Sequence, residues 1–143
     1  MMRVKHVIDR LSDELVPETF VLVSGLGDMP ADPDAIKWNR KAFVMPQADI
    51  VGPNNAGTGL VSQLAMRVVK VAMGFTRQTV RSTGDLDSIE DVVELVKKKM
   101  IGWVPPGENS PVIYITGGVA EQYLDRGLLI WGCTFGCPYF LEA

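Results

Sequence analysis

Residues 85–107 read D-L-D-S-I-E-D-V-V-E-L-V-K-K-K-M-I-G-W-V-P-P-G. Within them Ile89, Val92, Val93, Val96 and Met100 recur at i, i+3, i+4, i+7 and i+11, the spacing of a single buried helical stripe. Ser88 stands as the N-cap with Asp91 three positions on, and Asp87, Glu90 and Asp91 place negative charge where the helix dipole is positive. Lys97, Lys98 and Lys99 complement the other end, and Glu94 precedes Lys98 by four residues. Gly102 stops the helix and Pro105-Pro106 prevents its resumption. Trp103 falls between stop and breaker, so an indole is expected against the body of the protein where the chain turns back. No residue of this segment carries chemistry, which points to action through surfaces.

Upstream, Val4, Val7, Ile8, Leu11 and Leu15 repeat the stripe, and Pro17 ends a first helix expected over Met2 to Leu15 and docked on a sheet. Thr19 to Ser24, T-F-V-L-V-S, is apolar at consecutive positions and reads as a central strand buried on both faces. A polar, solvated loop follows from Asp28 to Lys41. Ala42 to Met45 is a short strand closed by Pro46, and Gly52 to Gly59 is a turn-rich loop. Leu60 to Thr76 carries both periodicities. Its β-branched Val68, Val69 and Val71 decide for one long strand, with the change of phase near Val68 read as a bulge. Beyond the Pro-Pro-Gly turn, Val112 to Thr116, Val119 to Leu124 and Leu128 to Phe140 read as three strands of an antiparallel meander. Gly117-Gly118 and Asp125-Arg126-Gly127 supply its turns. The last strand is unusually apolar, and its Trp131, Phe135, Tyr139 and Phe140 mark core or subunit interface. The fold class is therefore α/β in the α+β sense: a mainly antiparallel or mixed sheet packed by two helices, with one extended strand and flexible loops, in a single domain over 1–143.

Composition bounds the function. The 143 residues are 47% hydrophobic and 22% charged with a net charge of −3, ordinary for a globular chain and unlike a dedicated nucleic-acid binder. No apolar run approaches the ~20 residues that span a bilayer, and the charged N-terminus does not read as a signal peptide. Cys133 and Cys137, if on one strand, lie ~13 Å apart, beyond disulfide reach, and read as reduced thiols of a cytosolic product.

Candidate chemistry is sparse. Gly25-Leu26-Gly27 has no third glycine to complete a dinucleotide fingerprint, because position 30 is Pro30. The Gly52 to Gly59 loop has no Gly-Lys-Ser/Thr ending and is no P-loop. Asp28, Asp32 and Asp34 read as a solvated face, and His6, the sole histidine, as a boundary residue without co-ligands. No triad or carboxylate pair stands in a familiar motif, so neither a catalytic site, a cofactor nor a metal is expected. Arg67, Lys70, Arg77 and Arg81 form a basic strip suited to salt links with an acidic protein partner or to contact with nucleic acid, and the sequence does not choose between them.

In order and spacing the landmarks resemble the tail terminator, or tail-completion, proteins of long-tailed bacteriophages. They are the N-terminal helix, Ala42-Phe43-Val44-Met45-Pro46 followed by Gly52-Pro53-Asn54, the long strand, the helix ending Ile101-Gly102-Trp103-Val104-Pro105-Pro106-Gly107, Gly117-Gly118, and Gly127-Leu128-Leu129-Ile130-Trp131 entering the aromatic last strand. The polar insertion Asp28 to Asn39 and the glycines and cysteines of the last strand depart from that pattern. The resemblance implies a structural virion protein of the phage neck, not an enzyme, assembled in the host cytoplasm as a ring, usually a hexamer. The ring caps the head-proximal end of the tail tube, terminates polymerisation and meets the head connector or a head-completion protein, with DNA passing through it. Partner contacts are expected at Gly52, Pro53, Asn54, Asn55, Arg67, Lys70, Arg77, Arg81, Trp131 and Phe135. The rival readings are another neck or tail module, or a small nucleotide-binding enzyme.

Overall fold

A computed structural model describes residues 1–55, 59–76 and 86–142. In chain order the elements are α1 (Val4–Leu15), β1 (Leu22–Gly25), a 3-10 turn (Leu26–Asp28), α2 (Ala35–Trp38), β2 (Lys41–Pro46), β3 (Ile50–Val51), β4 (Ser62–Thr76), α3 (Leu86–Met100), β5 (Ile113–Tyr123), a second 3-10 turn (Leu124–Arg126) and β6 (Leu128–Glu142). The strands form one mixed six-stranded sheet in the order β1-β2-β4-β6-β5, with β3 continuing beside β4. The α+β class expected from the sequence is the class observed.

Helices α1 and α3 bury the stripes their spacing announced. Val7, Leu11 and Leu15 of α1 and Ile89, Val93, Val96 and Met100 of α3 pack with Val69, Val71, Met73 and Phe75 of β4 and with Cys133, Phe135 and Cys137 of β6. These strand residues alternate, so they occupy one face of the sheet, the helix face. Gly102 ends α3 with φ of +85°, a conformation open to glycine. Its N–H donates to the Val112 carbonyl at 2.9 Å, while the Val112 N–H donates to the Trp103 carbonyl at 2.8 Å. The half-buried Trp103 ring lies 5.6 Å beneath the Arg10 guanidinium, as expected of an indole held at the turn. Helix α3 spans Leu86–Met100; the side chain of Ser88, the expected N-cap, lies outside the described residues. The connection 77–84 lies outside the described residues.

Four sequence expectations are corrected. The run Thr19 to Ser24 is not a central strand: β1 is an edge strand whose one sheet neighbour, β2, runs parallel from Leu22↔Lys41 to Gly25↔Val44. Phe20 and Val23 turn to the core while Val21 and Leu22 stay exposed, so the apolar run is covered on one side only.

The Asp28 to Lys41 segment is not a solvated loop. Asp34 Oδ1 accepts the Ile36 N–H at 2.8 Å and caps α2, which carries Trp38 onto the second, far face of the sheet. There Trp38 meets Phe43 edge-on at 5.1 Å among Ala72, Leu128 and Ile130. A single tryptophan in a polar stretch makes no periodicity, and the cover it provides is invisible until the sheet exists.

Strand β4 has no bulge, since its register with β6 runs unbroken from Ser62↔Glu142 to Thr76↔Leu128. The irregularity lies across from Val68 on the neighbouring strand. Three residues lie between Pro46 and Ile50 where two lie between their partners Val69 and Met66, and Gln47 N–H donates to the Val68 carbonyl there at 2.9 Å.

Finally, Gly117-Gly118 is no hairpin. Strand β5 runs straight through it, pairing Gly117 with Cys133 and Gly118 with Gly132, with register shifts between Tyr114 and Thr116 and between Val119 and Glu121. The Tyr114 hydroxyl packs where a Gly117 side chain would stand. The three expected strands are thus two, joined by the turn at Leu124–Arg126.

Candidate interaction surface

Strands β4 and β6 each hold fifteen residues. Fifteen strand residues extend about 50 Å, whereas the fifteen of α3 extend about 22 Å. Helical cover therefore runs out before the sheet does. The loop after α3 covers as far as Cys137, whose thiol donates to the Ser110 carbonyl at 3.3 Å. Beyond it, Ser62 to Met66, Pro138 to Glu142 and β3 project as a three-stranded arm.

The arm exposes apolar side chains on both faces, with Ser62 and Glu142 at the end of the far face. On its far face Ile50 is 55%, Leu64 50% and Phe140 68% exposed, brought together by the pairings Ile50↔Met66 and Leu64↔Phe140. Beside them an apolar hollow of about 320 Å³ is lined by Ile50, Gly52, Pro53, Asn55, Leu64, Met66 and Pro138. On the helix face Val51 is 51% and Leu141 38% exposed, flanking the pair Ala65↔Tyr139. Exposed apolar surface of this kind marks an interaction site.

Asp49 fixes the arm's base. It stands in the extra-residue excursion between β2 and β3, receives the Tyr139 hydroxyl at 2.8 Å, and pairs with Arg67 at 3.4 Å. The hydrogen bond to Asp49, reinforced by burial, raises the Tyr139 phenol above its ordinary value. The adjoining loop is fastened too. Asn54 Nδ2 donates to the Leu60 carbonyl at 3.0 Å, its Oδ1 accepts the Ser62 N–H at 2.8 Å, and Gly52 N–H donates to the Leu64 carbonyl at 2.8 Å.

Of the expected contact residues, the structure gathers Gly52, Pro53, Asn54 and Asn55 along the arm's flank. Arg67 and Lys70 do not form one strip: three residues apart on a strand, they lie on opposite faces. Arg67 is engaged with Asp49. The Lys70 stem crosses Gly132, where an added Cβ would meet its Cε at 2.6 Å, in a hollow of about 290 Å³ that also touches Trp38, Glu121 and Tyr123. Trp131 is half-buried on the helix face opposite Met73. Phe135 is fully buried there, opposite Val69 and 5.8 Å from the Tyr114 ring, so within the subunit it is core. Arg77 and Arg81 lie outside the described residues.

Ile50 and Leu64 were not among the expected contacts, and Phe140 had been marked with Trp131, Phe135 and Tyr139 as core or subunit interface without a choice between the two. The signal was parity: Phe140 alternates out of step with Trp131, Phe135 and Tyr139, which places it on the face the long helices do not reach.

Elsewhere, Gly25-Leu26-Gly27 enters the first 3-10 turn, where the Ser24 hydroxyl donates to the Asp28 carboxylate. Cys133 and Cys137 are free and buried, and burial pushes the Cys133 thiol up to about 11. Among the described residues no group of three or more His, Cys, Asp or Glu is placed to hold a metal ion, and no helix is long and apolar enough to cross a membrane.

Comparison with curated proteins gives no match. The family model described as "Phage tail terminator protein" matches residues 1–143, the whole chain. With an α+β fold whose described residues leave apolar side chains exposed along one arm of the sheet, this makes the chain a structural component of the phage tail, and it belongs to the phage tail terminator family.

Proposed function

We propose that the chain acts as one domain that assembles into a ring, a hexamer by the family's habit, on the head-proximal end of the tail tube. The ring stops addition of tube subunits by occupying their docking surface and offers its opposite side to the head connector or a head-completion protein. DNA passes through its opening without sequence-specific contact. The work is steric, and no substrate is turned over.

The observation that carries this reading is the arm. A subunit that functioned alone would gain nothing from three large apolar side chains held in water on a rigid sheet. In a ring, each copy meets two neighbours through different surfaces, a heterologous contact whose rotation closes. The fastened loop 52–55 and the arm it flanks supply that contact, with the neck as its place in the virion.

Electron microscopy of phage lacking this chain tests the proposal. Tubes longer than normal are the expected outcome. Free tails of normal length beside full, tailless heads would place the chain on the head side and overturn the terminator role.

A further inference from the structure

Residues 47–55 lie along the outer edge of β4 beyond the reach of β2, whose pairing ends at Pro46↔Val69. Their backbone N–H groups donate to that edge: Gln47 to the Val68 carbonyl at 2.9 Å, Gly52 to Leu64 at 2.8 Å and Asn55 to Ser62 at 2.9 Å. Yet only Ile50 and Val51 form a strand, and none of residues 47–55 is buried. Apolar burial therefore does not hold the segment in place, and polar bonds must offset the entropy lost in ordering it.

Among these bonds those of Asp49 stand apart. Its Oδ2 accepts the Tyr139 hydroxyl of β6 at 2.8 Å and its Oδ1 accepts from the Arg67 guanidinium of β4 at 3.4 Å, so one side chain ties the segment to both long strands. Bonds to an ionised acceptor are stronger than neutral ones. The Asp49 and Arg67 side chains are only 27% and 19% exposed, which shields the pair from much of the screening that weakens surface ion pairs. Arg67 Nε has no acceptor among the described residues, so the guanidinium leans on this carboxylate.

We infer that Asp49 is a positioning residue: it latches segment 47–55 over the outer edge of β4, and the surface of the arm is complete only while the latch is closed. Ile50, Gly52 and Pro53 of the segment line the apolar hollow together with Leu64, Met66 and Pro138, so an open latch removes one side of it. An open latch also bares the carbonyls of Ser62, Leu64 and Val68 on an exposed strand edge, which any extended chain could pair with. The inference rests on the reading of the arm as the surface through which the chain acts, and names the residue that holds that surface in shape.

Residue-resolved amide exchange on the full chain tests the latch. In the parent, the Gly52 and Asn55 N–H groups should exchange faster than that of Val71 at the centre of β4 and with little dependence on low urea, because they open locally and expose little surface. In Asp49→Asn both should exchange about ten- to hundredfold faster, the change expected when charge-assisted bonds that close a local opening are lost. Asp49→Ala/Arg67→Met removes both charges and leaves no unpaired guanidinium; it should show the same acceleration, and adding Tyr139→Phe should change nothing further, because the hydroxyl acts through the carboxylate. Parent rates at Gly52 and Asn55 in these variants would overturn the inference. So would exchange of both groups at the rate and urea dependence of Val71 in the parent, which would mean that the segment opens only with the whole sheet.

Incorporation into tails is the second readout. Asp49→Asn, although folded, should be lost from tails. Normal incorporation of a variant whose segment exchanges freely would overturn the link between latch and surface. Tubes of normal length in phage lacking the chain would overturn the terminator reading instead, whatever the exchange rates, so the two failures are distinguishable.

Discussion

Gly74 on β4 faces the covered part of the far side, opposite Ile130, and an alanine there tests whether the insertion at 28–41 is structural cover. A Cβ at Gly74 would collide with the Trp38 carbonyl oxygen and stand 2.9 Å from the Trp38 Cβ and 3.0 Å from its carbonyl carbon. These are atoms that no side-chain rotation removes. Nor is α2 free to retreat: Trp38 N–H donates to the Asp34 carbonyl at 3.1 Å, the indole N–H reaches the Asp32 carbonyl at 3.3 Å, and the ring sits on Phe43. Overpacking of this kind costs about 1–3 kcal/mol, offset by about 0.4–1 kcal/mol because alanine restricts the unfolded chain. The net loss is about 1–2 kcal/mol, or a melting temperature lower by roughly 3–6 °C for a chain of this length.

Gly132 on β6 is the control. An added Cβ there meets Lys70 Cε at 2.6 Å and Nζ at 3.4 Å, the far end of a flexible side chain that swings aside. Gly132→Ala should be neutral or stabilise by up to ~1 kcal/mol. Urea unfolding of both variants, read as midpoint shifts at unchanged slope, decides the matter. Gly74→Ala as stable as the parent, or Gly132→Ala as damaging as Gly74→Ala, would refute the close packing of α2 on the sheet.

Phe135→Ala should destabilise the subunit by about 3–5 kcal/mol, because it empties a fully buried site; a loss of assembly with unchanged unfolding would instead make Phe135 a contact residue. Cys133 and Cys137 should resist alkylation at about pH 8 in the native protein and react together once it is unfolded, since burial holds Cys133 protonated and closes access to both. Tyr139→Phe should weaken the arm at neutral pH, measured by amide exchange in residues 62–66 and 138–142. The folded phenol is raised above its ordinary 10.0, so its proton-linked contribution is complete below that value and is lost as pH rises through the folded one. The difference between Tyr139→Phe and the parent should therefore close in alkaline solution; a difference that grew there would reverse the assigned cause.

Local sequence determined what local forces fix. The stripes of α1 and α3, the left-handed stop at Gly102 and the long β-branched strand β4 each depend on residues a few positions apart, and each stands where its spacing placed it. The alternation of β6 already contained the separation of Phe135 from Phe140, because a strand sends successive side chains to opposite faces whatever surrounds it. Which face would be covered was not in that alternation. The tertiary structure decided it through lengths: helices rising ~1.5 Å per residue cannot cover strands rising ~3.3 Å, so core became arm near Cys137. It also decided that Thr19 to Ser24 lies at an edge, that Gly117-Gly118 continues a strand, and that Trp38 belongs to a core. In each case the deciding partner is distant in sequence, so the energy that fixes the conformation comes from contacts the segment cannot make alone.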